Sequence, residues 1–201
     1  MTLTIPDKIR GFLFCPGESF WQIRDEDLKD TTRYFIIISV IYTLLSTLIT
    51  GIAVSKHPAL VLFGLGFGSG NIVLSFFIIL ALTLVIAVAY ALWLHLWIIL
   101  ICGKRGVQKT IKTVFYYLTP TMLIGWIPVI GAFAASVWSV VVGIIGIEEL
   151  FQVSFGRALI SILLSIITAG ILVAFLFGPL LTEVIASGPA LIGPYHYRPV
   201  L

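Results

Sequence analysis

Residues 72–102, IVLSFFIILALTLVIAVAYALWLHLWIILIC, run thirty-one positions without an Asp, Glu, Lys or Arg. At about 1.5 Å per helical residue this exceeds the roughly 30 Å hydrocarbon core of a bilayer. The stretch therefore reads as a long membrane-crossing helix that tilts or projects, with a hairpin inside it as the alternative. Just upstream, residues 59–70, ALVLFGLGFGSG, are apolar but carry four glycines, which weaken a helix and favour an outer loop lying on or dipping into the interface. Further out, Tyr34–Val54 is an uncharged run of twenty-one residues, long enough for a first crossing.

Downstream, Val114–Ile147 is uncharged over thirty-four residues and is broken at Trp126-Ile127-Pro128-Val129-Ile130-Gly131. Pro128 and Gly131 punctuate a tight turn between two helices, and Pro120 kinks the first of them, so a re-entrant pair remains the alternative there. Ala158–Leu181 is the last uncharged run. The expected fold is an all-α, five-helix transmembrane bundle with crossings at about 34–54, 72–102, 113–127, 129–147 and 158–181. A cytoplasmic amphipathic segment over 1–33 would precede it, and an extended outer tail with Pro189, Pro194 and Pro199 would follow over 183–201.

Composition agrees with a membrane solvent. Sixty per cent of the residues are hydrophobic and 10% charged, against about 45–50% and 25% in soluble domains. Twenty of the twenty-one charged residues lie clear of the long apolar runs or at their borders, and Glu183 comes just after the end of the last one. The net charge of +3 belongs to basic residues flanking those runs, which set orientation and meet anionic headgroups; nothing points to nucleic acid. Cys15 and Cys102 are too few and too far apart for a disulfide framework or a zinc site, so neither metal nor cofactor is expected. Asp7, Glu18, Asp25, Glu26, Asp27 and Asp30 interrupt the first thirty residues, unlike a cleaved signal peptide.

Orientation follows from counting Lys and Arg. With five crossings and the N-terminus inside, the inner segments hold Lys8, Arg10, Arg24, Lys29, Arg33, Lys104, Arg105, Lys109, Lys112 and Arg157, and the outer ones only Lys56 and Arg198. Dividing 59–102 into two crossings would move the Lys104–Lys112 group outside, so five crossings are favoured over six. The chain is expected in a cell membrane, probing outward with its C-terminus. Before the first crossing, Ile5, Ile9, Phe12, Leu13, Phe14, Phe20, Trp21 and Ile23 alternate with charges, the pattern of a segment lying along the membrane surface.

Seven residues are candidates for a functional or structural role. His95, with Tyr90, Trp93 and Trp97, lies in an apolar run, where a titratable group is a functional hypothesis by default; the plainer reading puts it near the inner interface among belt aromatics. Glu148 and Glu149 either bind a cation or pair with Arg157 or Lys104, although adjacent helical residues diverge by about 100°. Pro120 and Gly131 mark a broken helix that exposes carbonyls, as in transporters, or else close packing. Gly143 and Gly146 favour close helix packing. Glu183 either lines an outer vestibule or, on the favoured reading, marks the end of the last helix, and His57 and His196 fall in outer segments. No nucleophile elbow, phosphate-cradling loop or His-Glu-x-x-His is present, which leaves enzymatic chemistry without positive support.

The stretch VFYYLTPTMLIGWIPVIG (114–131), followed by VWSVVVGIIGIEELFQVSFGRAL (137–159), resembles the Yip domain family of Ypt-interacting proteins. The matched features are Tyr117 three residues before Pro120, Gly131 after the proline-bearing turn, Trp138 and Gly146. FLFCPGESFW (12–21) resembles the opening of prokaryotic members through Pro16 and Phe20. The resemblance covers about residues 12–178 and implies five membrane helices in a prokaryotic cell membrane. Eukaryotic members act in vesicle trafficking, contact Rab-type small GTPases and associate with one another. This chain lacks their Asp-Leu-Tyr-Gly-Pro motif and has Phe115 where they place glycine. The expected role is a non-enzymatic scaffold, partnered by the bilayer and by itself or other membrane proteins. The rival is a small transporter or channel for an ion or small solute.

Overall fold

A polar backbone in an apolar solvent has only itself to bond to, so uncharged runs of this length become helices. The computed structural model describes residues 3–56, 72–127 and 130–191, with side chains over 3–49, 72–127 and 131–179. Every regular element among them is helical: α1 (Ile5–Phe14), α2 (Pro16–Gln22), α3 (Leu28–Lys56), α4 (Ile72–Cys102), α5 (Val107–Tyr117), α6 (Thr119–Ile124), α7 (Ile130–Phe151) and α8 (Phe155–Leu191). Four of these are long and apolar enough to cross a membrane, over Leu28–Ile49, Ile72–Cys102, Gly131–Phe151 and Phe155–Pro179. The chain is an all-helical, multi-pass membrane protein.

The short third crossing expected over 113–127 is divided between α5 and α6, of eleven and six residues. Pro120 sits in the first turn of α6 and has no N–H to bond to the Tyr116 carbonyl, so the helix breaks at Leu118 and resumes. Helix α8 runs on to Leu191, so residues 183–191, expected to be extended, are helical. The glycine-rich loop 59–70, Pro128, His57 and His196 lie outside the described residues, as does the side chain of Glu183.

The chain divides into two units, Met1–Ile162 and Leu163–Leu201. In the first, α5 packs against α3, α4 and α7, and α6 lies against α3 and α7. The α4–α5 turn uses Gly103 and Gly106 at φ +64 and +145, a conformation open to glycine and strained for other residues. Phe35 stacks on Phe115 at 4.0 Å, and Ile38, Leu94, Ile98, Val114, Ile147 and Leu150 are buried around them. In the second unit α8 continues as an apolar helix whose Thr168 hydroxyl donates back to the Leu164 carbonyl at 2.6 Å, the usual way a helix absorbs a hydroxyl away from water.

The N-terminal segment, expected to lie along the membrane surface, is a helical hairpin docked into the first unit. Thr4 caps α1 by accepting from the Asp7 amide at 3.4 Å, Pro16 opens α2, and the Ser19 hydroxyl donates to the Cys15 carbonyl at 2.9 Å. Helix α1 packs on α2 and α6, and α2 on α7. Phe12 and Phe20 are fully buried, while Phe14 and Trp21 stay exposed. The Trp138 indole of α7 donates to the Leu13 carbonyl at 3.0 Å.

Candidate functional site

Tyr116, near the end of α5, is the centre of the most elaborate polar cluster among the described residues. Its ring stacks on Phe12 at 4.3 Å, meets Tyr34 at 4.9 Å and is approached edge-on by Phe20 at 6.4 Å. Its hydroxyl accepts from Lys8 Nζ at 3.0 Å and donates to the Glu26 carboxylate at 3.0–3.1 Å. Lys8 closes the triangle through an ion pair with Glu26, and its ammonium lies 5.6–5.7 Å from the Tyr116 and Tyr34 ring centroids, within reach of cation–π attraction. Side-chain exposures of 8% for Lys8 and 11% for Glu26 take both charges largely out of water. Such a pair persists only when hydrogen bonds satisfy it on all sides.

The cluster extends along the linker between α2 and α3. Lys112 of α5 donates to the carbonyls of Arg24 at 3.2 Å and of Glu26, so a cation one helix turn from Tyr116 fixes the loop that carries Glu26. With its amide oxygen turned toward Arg24, Gln152 accepts from both guanidinium nitrogens at 2.8 and 3.1 Å. Gln152 ends α7 at φ +52, and the Val153 amide reaches back to the Glu148 carbonyl at 3.3 Å, a Schellman-like cap. Three elements therefore hold the hairpin in place: α5 through Tyr116 and Lys112, α3 through Tyr34, and α7 through Trp138 and Gln152.

The sequence candidates are distributed differently. His95 is buried on α4, with Nδ1 at 2.8 Å from the Thr110 hydroxyl of α5. Pro120 is buried at the start of α6; beside it the Thr119 hydroxyl bonds to the Tyr34 hydroxyl at 3.0 Å, and the Thr121 hydroxyl to that of Ser139 at 2.8 Å. A Cβ at Gly131 would lie 2.7 Å from the Ile124 carbonyl. At Gly143 it would meet Ile162 at 2.8 Å and Tyr117 at 3.4 Å, and at Gly146 the Phe20 ring at 2.6–3.0 Å. The face those two glycines offer is thus filled by the chain's own side chains. Glu148 and Glu149 are half-buried and make no ion pair among the described residues. Two open surface grooves, one beside Lys29 and Arg33 and one beside Asp7 and Glu18, are lined by none of the seven candidates. No group of metal-ligating side chains occurs among the described residues.

Over this scaffold the sequence model of the Yip1 domain matches residues 10–177. The chain belongs to the Yip1 domain family. No curated protein and no solved structure matches it. The Yip1 match takes in Phe12, Phe20, Glu26 and Tyr116 and begins two residues after Lys8, so the carboxylate and hydroxyl of the cluster lie inside the Yip1 domain and its ammonium just before it. Neither Lys8 nor Glu26 was singled out by sequence: both sit in a charged stretch, and burial of a charge leaves no mark in composition.

Proposed function

We propose that this Yip1-family protein is a non-enzymatic, five-crossing scaffold of a prokaryotic cell membrane, with its N-terminus cytoplasmic and its C-terminus outside, that organises membrane through self-association. The observation that carries the reading is that the buried ionisable groups of this cluster and of α4 bond within the chain, while the buried hydroxyls left without a partner among the described residues, those of Thr43, Ser46 and Thr47, all lie on α3. Lys8, Glu26, Tyr116, Lys112 and His95 all have partners within the chain, whereas catalysis or solute binding asks such groups to face a ligand.

The fifth crossing has geometric support. Lys109 Nζ lies 5.9 Å from the Phe151 ring centroid, and Gly106 adjoins the same ring, so the start of α5 and the end of α7 share one end of the bundle. Helix α7 begins a membrane length away at Gly131, and α5–α6 is the chain that makes that journey. Its eighteen residues from Val107 to Ile124, divided at Leu118, cover at most about 27 Å at 1.5 Å each.

Association through Gly143 and Gly146 is replaced in this reading by a ridge on α8, where Gly170, Ala174 and Gly178 recur every fourth residue, the small-xxx-small spacing that lets two helices approach closely. Light scattering in mild detergent, with cross-linking in native membranes, tests it. A dimer or larger species is expected, reduced to monomer by Gly170→Leu with Ala174→Leu. A wild-type chain that is monomeric by both methods overturns the reading.

A further inference from the structure

We infer that the groove between the start of α3 and the start of α5 is a binding site for an anionic phospholipid from the leaflet on the N-terminal side. The groove is open and offers about 730 Å³. Lys29, Thr32 and Arg33 of α3 and Gln108 of α5 supply its polar lining, and Ile36 and Ile37 of α3 its apolar lining. Lys29 and Arg33 are one turn apart, exposed, and in no ion pair among the described residues. This sets them apart from Lys8, which is consumed inside the chain.

The occupant follows from where polarity changes along α3. Arg33 is the last charge before the uncharged run 34–54, so the groove sits where headgroups meet hydrocarbon. Below Arg33, the exposed Ile36, Val40, Leu44 and Leu48 recur at spacings of about four residues and lie on one face of the helix. The site thus has a cationic, hydroxyl- and amide-bearing head and an apolar track roughly a leaflet deep, the outline of a phospholipid. Asp27 also lines the rim; with two cations against one carboxylate the groove keeps net positive charge and favours a phosphate-bearing headgroup without a compensating ammonium. Basic residues at this depth attract anionic lipid.

Native mass spectrometry of the full chain tests this, using protein released from nanodiscs made of equal parts phosphatidylglycerol and phosphatidylcholine. The wild type is expected to retain phosphatidylglycerol selectively. Lys29→Gln with Arg33→Gln should lower that selectivity by about fivefold per charge removed, and Ile37→Trp, which enlarges an apolar lining side chain without changing charge, should lower it too. The control is Lys104→Gln with Arg105→Gln, an equal loss of charge in the α4–α5 turn, expected to keep the selectivity. Unchanged selectivity in the Lys29/Arg33 variant, or an equal loss in the control, overturns the proposal. Because the readout is lipid retention by a monodisperse protein, it is independent of whether the chain self-associates.

Discussion

Glu26 bonds through both carboxylate oxygens to the Tyr116 hydroxyl and pairs with Lys8. Removing one member of a buried pair strands the other charge, at a cost of about 3–5 kcal/mol, and the residual exposure of this pair points to the lower end. Glu26→Gln and Lys8→Met should each lower the thermal unfolding midpoint in detergent by several degrees. The double variant should lose less than the sum, because it strands neither charge; simple additivity would show that the pair is uncoupled. Tyr116→Phe keeps the stack on Phe12 and loses the hydroxyl, a change of about 1–2 kcal/mol that the same melting experiment resolves. None of this was legible in the sequence. A lysine among scattered apolar residues reads as solvated, and only the fold, by bringing α5 over the hairpin, turns it into a buried donor. His95 was legible as a residue needing a partner, but Thr110, fifteen positions on, was not, because the turn that juxtaposes them depends on backbone conformations at Gly103 and Gly106.

At the scale of elements, the bilayer makes the long helices readable: α3, α4, α7 and α8 contain the uncharged runs that any chain of this composition must bury in lipid. Helices α1, α2 and α5 are harder, because an apolar face interleaved with charges has the same spelling whether it rests on a membrane surface or on a neighbouring helix. Phe12 and Phe20 belong to the second case. The docking contact makes a graded prediction. A methyl at Gly146 would press on the Phe20 ring, whereas one at Gly143 would press on the flexible tip of Ile162. Overpacking of a rigid ring costs about 1–3 kcal/mol, and a side-chain tip yields more cheaply. Gly146→Ala should therefore loosen the hairpin and speed tryptic cleavage after Arg10, while Gly143→Ala leaves the cleavage rate close to wild type. Equal rates in the two variants would mean that Phe20 does not anchor α2.

For the whole molecule, the question is how many times the chain crosses, and the contacts at one end of the bundle bear on it together. The linker 23–27 is held by Lys112, Arg24 reaches Gln152, and Lys109 approaches Phe151, so the N-terminal linker, the α4–α5 turn and the end of α7 are neighbours. Charge counting reached the same grouping of basic residues from a different direction, since Arg24, Lys104, Arg105, Lys109 and Arg157 all fall in segments at this end. A four-crossing chain, with α5–α6 lying flat, would have to start α7 on the same side as Lys104 and finish it on the other, pulling Gln152 away from Arg24. Single cysteines introduced in a Cys15→Ser, Cys102→Ser background separate the two arrangements. With five crossings, Lys104→Cys and Gln152→Cys should resist a membrane-impermeant maleimide in intact cells and react after lysis, whereas Trp126→Cys, just past α6, should react in intact cells. Labelling of Trp126→Cys only after lysis would return the chain to four crossings and, with it, take α5–α6 out of the membrane.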